Sequence, residues 1–283
     1  MRLLTTAAAL LALACASAAA APEKRVGFGL PYDLAAARDG TIYFLDRSRV
    51  LALTRGRVRV HARTPSRELV AMDRLSGGTI FVTDFPGNRI LRVDRAGRVS
   101  VVARVEAPAD LVSDATGSTL WVASIAPGVG VVRVDVASGR VEPFAPRVEN
   151  PHGIDRDASG DFVVHDGPSV SRIDGATRAV TRFADVDAIK LHVGPDGSVY
   201  GVEANPSGGR VVRIAPNGRV TTVAGTGSLG PQRDGHAVNS PMLPSSVALA
   251  PGGALLVSQT KPVPAIRRVD VAAGRITTLA RGR

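Results

Sequence analysis

A short step of glycine, arginine and an apolar residue recurs along the chain, and no other feature limits the possible folds as strongly. Copies such as Gly56-Arg57-Val58 and Gly97-Arg98-Val99 follow one another at intervals of about 40 residues, the length of a four-stranded propeller blade. The six copies begin at Gly56, Gly97, Gly139, Thr177, Gly218 and Gly274. Only the last interval is long, and its excess lies between Ala224 and Pro244.

A second pattern precedes each copy: an apolar segment, a tight turn, and a strand that ends in a polar residue. The turns, such as Arg38-Asp39-Gly40, carry the glycine that a hairpin reversal requires. The six examples cover residues 34–46, 72–84, 111–124, 154–166, 191–203 and 247–259. With the two strands around the Gly-Arg step, each unit predicts a meander of four antiparallel strands.

Six such units predict an all-β fold, a six-bladed β-propeller of four-stranded antiparallel blades over residues 21–283. A ring of this kind buries the apolar columns of each sheet against its neighbours and leaves only short edges. The blades are expected at about 26–63, 64–104, 105–147, 148–185, 186–227 and 228–283.

The first residues have the composition of a targeting sequence. Arg2 precedes an alanine- and leucine-rich run, and Ala18-Ala19-Ala20 offers a small-x-small cleavage site, so residues 1–20 are predicted to be a cleavable signal peptide. The protein is therefore expected to be secreted or periplasmic, with no transmembrane segment in the mature chain. A lipoprotein attached through Cys15 is the alternative, which the bulky Leu13 disfavours.

Composition narrows the classes of partner. A hydrophobic content of 45% excludes a disordered chain, and a single cysteine excludes an internal disulfide. The formal net charge of +10 would suit nucleic acid, but the arginines recur with the repeat instead of forming a patch. Nucleic acid is therefore not an expected partner.

Residues 220–270 resemble the NHL-repeat family. The resemblance is carried by Val220-Thr221-Thr222-Val223-Ala224-Gly225-Thr226-Gly227, Asp234-Gly235, Pro244-Ser245-Ser246-Val247 and Ile266-Arg267-Arg268-Val269-Asp270. It implies a propeller like those of NHL proteins and of the related gluconolactonase-like (senescence-marker) hydrolases. Those relatives include enzymes and binding modules, so the resemblance leaves function open.

In a meander blade, the first strand starts on the same face of the ring on which the second strand ends. We call this the funnel face. Its expected ligand-binding residues are Asp33, Asp46, Asp84, Asp110, Asn150, His152, Asp166 and Glu203. This acidic set suits a small polar ligand with hydrogen-bond donors, or a divalent cation such as calcium or magnesium.

His152 is the candidate catalytic residue, because Pro151 and Gly153 fix the backbone beside the ring axis. Peptide-amidating lyases and streptogramin lyases have similar Pro-His-Gly steps. Asp33, Asp110 and His152 together are the candidate metal ligands. The resemblance to the gluconolactonase-like family implies a divalent metal held by a glutamate, two asparagines and an aspartate. The matching positions here are Leu30-Pro31, Ala109, His152 and the stretch 187–189.

Two hypotheses follow. The first is an exported binding module whose funnel face takes a small polar ligand or an envelope or extracellular protein, with no certain cofactor. The second is a divalent-metal-dependent hydrolase or lyase of the gluconolactonase-like class that uses Asp33, Asp110 and His152. The insertion at residues 225–243 is expected on the funnel face as an ordinary long loop, or alternatively as a lid.

Overall fold

Strands account for almost all regular structure in the chain. The structure is a computed structural model that describes residues 26–283, so the signal peptide predicted at residues 1–20, with Cys15, lies outside the described residues. The described part contains 25 strands and a single-turn 3₁₀ helix, Ala237–Asn239. Within residues 26–283, no helix has the length and apolar character needed to cross a membrane.

The strands form six antiparallel sheets, which we number as blades I to VI in chain order. Blades I to III comprise β1 (Pro31–Ala36), β2 (Ile42–Asp46), β3 (Arg49–Thr54) and β4 (Arg57–Arg63); β5 (Leu69–Arg74), β6 (Ile80–Asp84), β7 (Arg89–Val93) and β8 (Val99–Arg104); and β9 (Pro108–Ser113), β10 (Thr119–Ser124), β11 (Gly130–Asp135) and β12 (Val141–Ala145).

Blades IV to VI comprise β13 (Ile154–Arg156), β14 (Phe162–Asp166), β15 (Ser169–Ile173) and β16 (Val180–Ala184); β17 (Leu191–Val193), β18 (Val199–Asn205), β19 (Gly208–Ile214) and β20 (Val220–Ala224); and β21 (Gly235–His236), β22 (Leu243–Leu249), β23 (Leu255–Lys261), β24 (Ala265–Asp270) and β25 (Arg275–Arg281). The prediction of a six-bladed β-propeller is confirmed.

Six buried apolar clusters hold the ring together, one at each junction between neighbouring blades. At the closing junction, Phe44 and Leu51 of blade I pack with Leu256 and Ile266 of blade VI. Each buried side chain of this size stabilises the fold by about 1.5–3 kcal/mol. Consecutive residues of a first strand can join the clusters on the two sides of their blade, as Leu111 and Val112 do in blade III.

A break in the pairing recurs in all six blades. Between the third and fourth strands the register shifts once, at Val50/Leu51 in blade I and at the equivalent place in each other blade. Such a bulge increases the local twist of the outer strand. The repetition shows that the units share their backbone geometry as well as their sequence pattern.

The ring closes without exchanging a strand. Blade I is built only from β1 to β4 and blade VI only from β21 to β25, so neither contains a strand from the other end of the described chain. The segment before β1 reinforces the closure. Phe28 packs edge-on against Phe44 with ring centroids 5.0 Å apart, and its carbonyl accepts a 2.9 Å hydrogen bond from the Arg283 amide. The two ends of the propeller are thus fastened by main-chain contacts.

The insertion at residues 225–243 does not lie where the sequence pattern suggested. Gly235 and His236 pair with Ile276 and Arg275, at the end of the outer strand that faces away from the funnel. The insertion therefore follows the outer edge of blade VI, and the expectation of a funnel-face loop or lid is wrong for this part of it. An uncovered outer strand has free N–H and C=O groups, and this pairing satisfies some of them.

Candidate functional site

The first strands of the six blades line a central cavity of about 170 Å³. At the start of each first strand, one residue packs into a junction cluster between blades. The residue just before it belongs to an upper layer, nearest the funnel face. Its members in blades I to VI are Asp33, Ala71, Asp110, Gly153, Lys190 and Ser246. Two residues further along each strand, a lower layer contains Asp73, Asp155 and His192. The channel is therefore polar at two depths.

Lys190 extends from blade V towards carboxylates of blades I and III. Its Nζ lies 3.1 Å from Oδ1 of Asp110 and 4.0 Å from Oδ2 of Asp33, and it donates a 3.4 Å hydrogen bond to the carbonyl of Ala109. The Lys190 side chain is 13% exposed and each carboxylate 8% exposed. The three charged groups come from alternate blades and form one buried cluster.

The two carboxylates also join neighbouring blades. Asp33 Oδ2 accepts a 2.7 Å hydrogen bond from the amide of Met72 in blade II, and Oδ1 accepts one from the hydroxyl of Ser246 in blade VI. Asp110 Oδ2 accepts a 3.1 Å hydrogen bond from the amide of Ile154 in blade IV. These carboxylates therefore have most of their acceptor capacity satisfied by the protein.

The lower layer repeats this arrangement. Asp73 accepts hydrogen bonds from the amide and hydroxyl of Ser113 in the next blade, and Asp155 accepts a 2.7 Å bond from the amide of Val193. His192 Nδ1 lies 3.5 Å from Asp155 Oδ2. Four aspartates of the channel thus link consecutive first strands around the ring.

Burial changes the acidity of these groups. Removal from water disfavours a charged carboxylate, and this raises the pKa of Asp110 to about 7 although the Lys190 ammonium opposes the change. Burial likewise raises the pKa of Asp155, with His192 acting in the opposite direction. The channel can therefore hold a proton on Asp110 near neutral pH.

His152 lies in a second cluster on the funnel face. Its main-chain N–H donates a 3.3 Å hydrogen bond to Nδ1 of His165, and His165 Nε2 lies 2.9 Å from Oδ1 of Asp187. Because Nδ1 of His165 accepts, its proton is on Nε2, which donates to Asp187. His165 is thereby fixed in one tautomer, with its ring 5.5 Å from that of His152.

The His152 ring itself remains available. Its Nε2 lies 3.3 Å from Nδ2 of Asn150, and among the described residues its Nδ1 has no hydrogen-bond partner. Burial, with further contributions from His165 and Lys190, lowers the pKa of His152 below its usual value of 6.5. Its imidazole is therefore neutral at pH 7. Because the Asn150 amide nitrogen can only donate, Nε2 accepts that hydrogen bond, and Nδ1 carries the proton and can donate it to a ligand.

The local backbone explains how His152 reaches this place. Asn150 has a left-handed φ of 47°, which asparagine tolerates better than most residues. A Cβ at Gly153 would lie 2.7 Å from the carbonyl oxygen of Ile189, so only glycine allows this close approach of blades IV and V. The Asn-Pro-His-Gly sequence therefore sets both the turn and the packing of the strand behind it.

The carboxylates at the ends of the second strands hold loops. Asp46 accepts amide hydrogen bonds from Gly29 and Leu30 and pairs with Arg49. The other three are similarly engaged: Asp84 with Ser66, Gly87 and Arg89, Asp166 with Glu149 and Ser171, and Glu203 with Arg210. Their interpretation as ligand-binding groups remains a prediction, and each already has partners within the protein.

The predicted metal ligands do not fit a divalent ion. Within residues 26–283 no three His, Cys, Asp or Glu side chains are grouped so that they could hold a metal, and Asp33, Asp110 and His152 are no exception. Asp33 and Asp110 do converge, but the Lys190 ammonium lies between them, and His152 belongs to the cluster with His165. The metal trio of Asp33, Asp110 and His152 therefore remains a prediction, which this arrangement does not favour.

Two further features lie on the funnel face, a tyrosine and a hollow. Tyr32 lies on the funnel face, and burial together with Glu68 raises its pKa to about 12, so it remains a neutral phenol. A hollow of about 700 Å³ between the rim loops of blades III and IV is lined by residues that include Ile125, Pro127, Pro146, Arg147 and Asn150. Asn150 lines this hollow and its Nδ2 lies 3.3 Å from His152 Nε2, so the hollow is next to the His152 cluster.

Several of these residues were not singled out from the sequence. Lys190 is one of only three lysines and occupies the repeat position of Asp33 and Asp110, which is a signal that could have identified it. His165 and Asp187 lie 22 residues apart, and only the closed fold brings them together.

Solved structures share this architecture at low sequence identity. Virginiamycin B lyase from Staphylococcus aureus aligns with a TM-score of 0.62 and 15% identity, covering 90% of this chain and 85% of that one. A chain of the nidogen/laminin complex gives a TM-score of 0.69 and 15% identity over 84% and 92% of the two chains. A gluconolactonase from Xanthomonas campestris gives 0.66 and 15% over 82% and 84%.

No protein-family model matches the chain, and no curated protein matches it in sequence. Identities of this size show a common fold only. The comparisons establish that the chain has the six-bladed propeller architecture found both in enzymes and in a protein–protein complex.

Proposed function

We propose that the chain is an exported binding module that takes a small polar ligand at the funnel face, beside His152. The observation that carries the proposal is the half-buried, neutral imidazole with one free nitrogen, next to the hollow between blades III and IV that Asn150 also lines. A few fixed polar groups in a concave surface are the usual composition of a ligand site. Export is supported by the sequence of residues 1–20.

The channel carboxylates favour binding over metal-assisted catalysis. A metal-activated water requires a held ion and a placed base. Here Asp33 and Asp110 accept hydrogen bonds from neighbouring blades and face an ammonium, so they are not free to coordinate an ion. An envelope or extracellular protein is the other partner that the funnel rim could bind, and the protein–protein complex of the same fold supports it.

The experiment is a thermal-shift screen of sugars, polyols, amino acids and short peptides, followed by calorimetric titration of each stabilising compound. His152→Ala should weaken binding at least tenfold, because a lost hydrogen bond with its partner left buried costs about 1–3 kcal/mol. His236→Ala is the matched control, since His236 is exposed on the outer edge of blade VI. A ligand bound equally well by both variants would place the site elsewhere.

A hydrolase or lyase is the second candidate. It is favoured by the His152–His165–Asp187 cluster, in which a neutral imidazole could transfer a proton without the metal trio, and by the lyase and gluconolactonase of the same fold. Purified protein should be assayed with lactones and streptogramins, with and without a chelator. Turnover that disappears in His152→Ala would replace the binding module with an enzyme.

A further inference from the structure

The charge balance at the ring axis is unusual. Asp33 and Asp110 are both buried, and among the described residues Lys190 is the one cationic side chain within ion-pair distance of either. Burying an ionised carboxylate costs several kcal/mol unless an opposite charge compensates it. A single ammonium therefore serves two carboxylates that belong to different blades.

The position of Lys190 in the repeat explains why it meets the two carboxylates. Asp33, Asp110 and Lys190 occupy the same place in the first strands of blades I, III and V, so their side chains approach one another from three directions. Two carboxylates that converge in this way offer the oxygen ligands that a hard cation prefers. In blade V the equivalent position is Lys190, so the chain itself supplies the cation.

From this geometry we infer that Lys190 is a tethered cation, occupying from within the protein a site that two buried carboxylates would otherwise offer to a free cation. The ammonium compensates one of the two negative charges, donates to Asp110 and Ala109, and blocks access of a divalent ion to the axis. Its flexible stem crosses from blade V, so the same side chain also fastens three blades together. The inference holds whether or not the funnel binds a ligand.

Lys190→Ala removes the ammonium and leaves the two carboxylates facing each other. We expect the Tm to fall by roughly 5–15 °C, because breaking a buried ion pair from one side leaves an uncompensated charge. Calcium, magnesium or ethylammonium chloride should then raise the Tm of the variant by at least half of that loss, since a ligand that binds the folded state stabilises it. Wild-type protein should show no such rise above that given by sodium chloride of equal ionic strength.

Two controls isolate the site. Lys261→Ala removes an equal charge from an exposed position and should neither lose stability nor gain a response to cations. Tetramethylammonium, which has no N–H to donate, should not replace ethylammonium. If Lys190→Ala does not fold, the double variant Asp110→Asn/Lys190→Met still tests the idea: it lacks one charge of each sign and should fold with a Tm within a few degrees of wild type and no cation response.

Four results would overturn the inference. One is a wild-type protein that calcium or magnesium stabilises as strongly as the Lys190→Ala variant. Another is a variant as stable as wild type. The third is a destabilised Lys190→Ala variant that no cation restores, because the loss would then come from packing of the lysine stem. A double variant that fails to fold would also overturn the inference, because removing one charge of each sign would then not relieve the loss.

Discussion

At the scale of the residue, the main chemical feature of the channel is the buried charge of Asp33, Asp110 and Lys190, whereas the sequence motif had pointed to His152. The sequence pattern correctly placed Asp33 and Asp110 at first-strand positions facing the axis, because the period of the repeat fixes which residues are equivalent. It could not show that Lys190 lies between them. That contact depends on the width of the closed ring and the reach of a long side chain, and neither is encoded in local spacing.

His152 should titrate below pH 6.5, because burial favours its neutral form. Long-range ¹H–¹⁵N correlation spectra recorded between pH 4 and 8 would measure this, with His152→Ala assigning the signal. The neutral spectrum should persist at pH 7. A His152 signal that titrates at or above 6.5 would contradict the buried position described for the ring.

Asp110 should make stability depend on pH in a defined direction. Its folded-state pKa is raised to about 7 from the usual value of 3.8, so the folded protein binds an extra proton between these values. That stabilisation is complete below about pH 4 and is lost as the pH rises through 7. Relative to Asp110→Asn, the wild-type free energy of unfolding should therefore decline from pH 5 to pH 8, as measured by urea denaturation. A difference that is constant or grows with pH would refute the raised pKa.

At the scale of the element, the turn between the third and fourth strands shows how the repeat consensus works. In several blades the aspartate that precedes the turn accepts main-chain N–H bonds within it, as Asp94 does from Ala96 and Arg98. These bonds lower the pKa of Asp94 and Asp174, and the pKa of Asp135 is lowered first by the Ser138 hydroxyl and then by the Ser138 main-chain N–H. The recurring aspartates therefore shape turns, and only some of them also pair with an arginine, as Asp94 does with Arg98 at 3.1 Å.

The part of the insertion around Gly235 and His236 was placed wrongly from sequence because its anchor is a long-range contact. Arg267 is fully buried and donates to Gln259, to the carbonyl of Arg233 and to Asp234. The equivalent positions of four other blades hold apolar residues such as Leu91, and blade IV has Ser171, so a buried arginine here was not expected. Its hydrogen bonds draw the insertion along the outer edge of blade VI.

Arg267→Met should destabilise the protein by about 2–4 kcal/mol, because it removes a cation and leaves its buried partners unsatisfied. Limited proteolysis should then cut within residues 225–243 faster than in wild type. Arg268→Met is the matched control, since Arg268 is exposed and surface changes of this kind usually alter stability by less than about 0.5 kcal/mol. Equal cleavage rates in the two variants would show that Arg267 does not anchor the insertion.

At the scale of the whole molecule, the basic net charge follows from the fold. The arginines of the Gly-Arg steps, Arg57, Arg98, Arg140, Arg178, Arg219 and Arg275, are all exposed at turns on the face opposite the funnel. The excess of positive charge is thus spread around the ring, as the sequence pattern predicted. Four of the acidic groups, Asp33, Asp73, Asp110 and Asp155, lie in the channel, where they link neighbouring blades.

These links should make unfolding of the ring a single event. Asp73→Ala removes the acceptor of two hydrogen bonds from Ser113 in the next blade and should lower stability by about 1–3 kcal/mol without dividing the transition. Differential scanning calorimetry measures both quantities. Asp185→Ala is the control, because Asp185 is exposed and lies in the loop after blade IV. Two separate transitions in Asp73→Ala would show that the blades unfold independently.

The group that lies at the ring axis between Asp33 and Asp110 decides between a tethered lysine and a metal site. The direct measurement is an anomalous difference map from crystals of the wild-type protein soaked in manganese chloride. We predict density for the Lys190 side chain between Asp33 and Asp110 and no anomalous peak at that position. A manganese peak coordinated by Asp33 and Asp110, with Lys190 displaced, would contradict the account and restore the metal-dependent enzyme as the better explanation of the funnel.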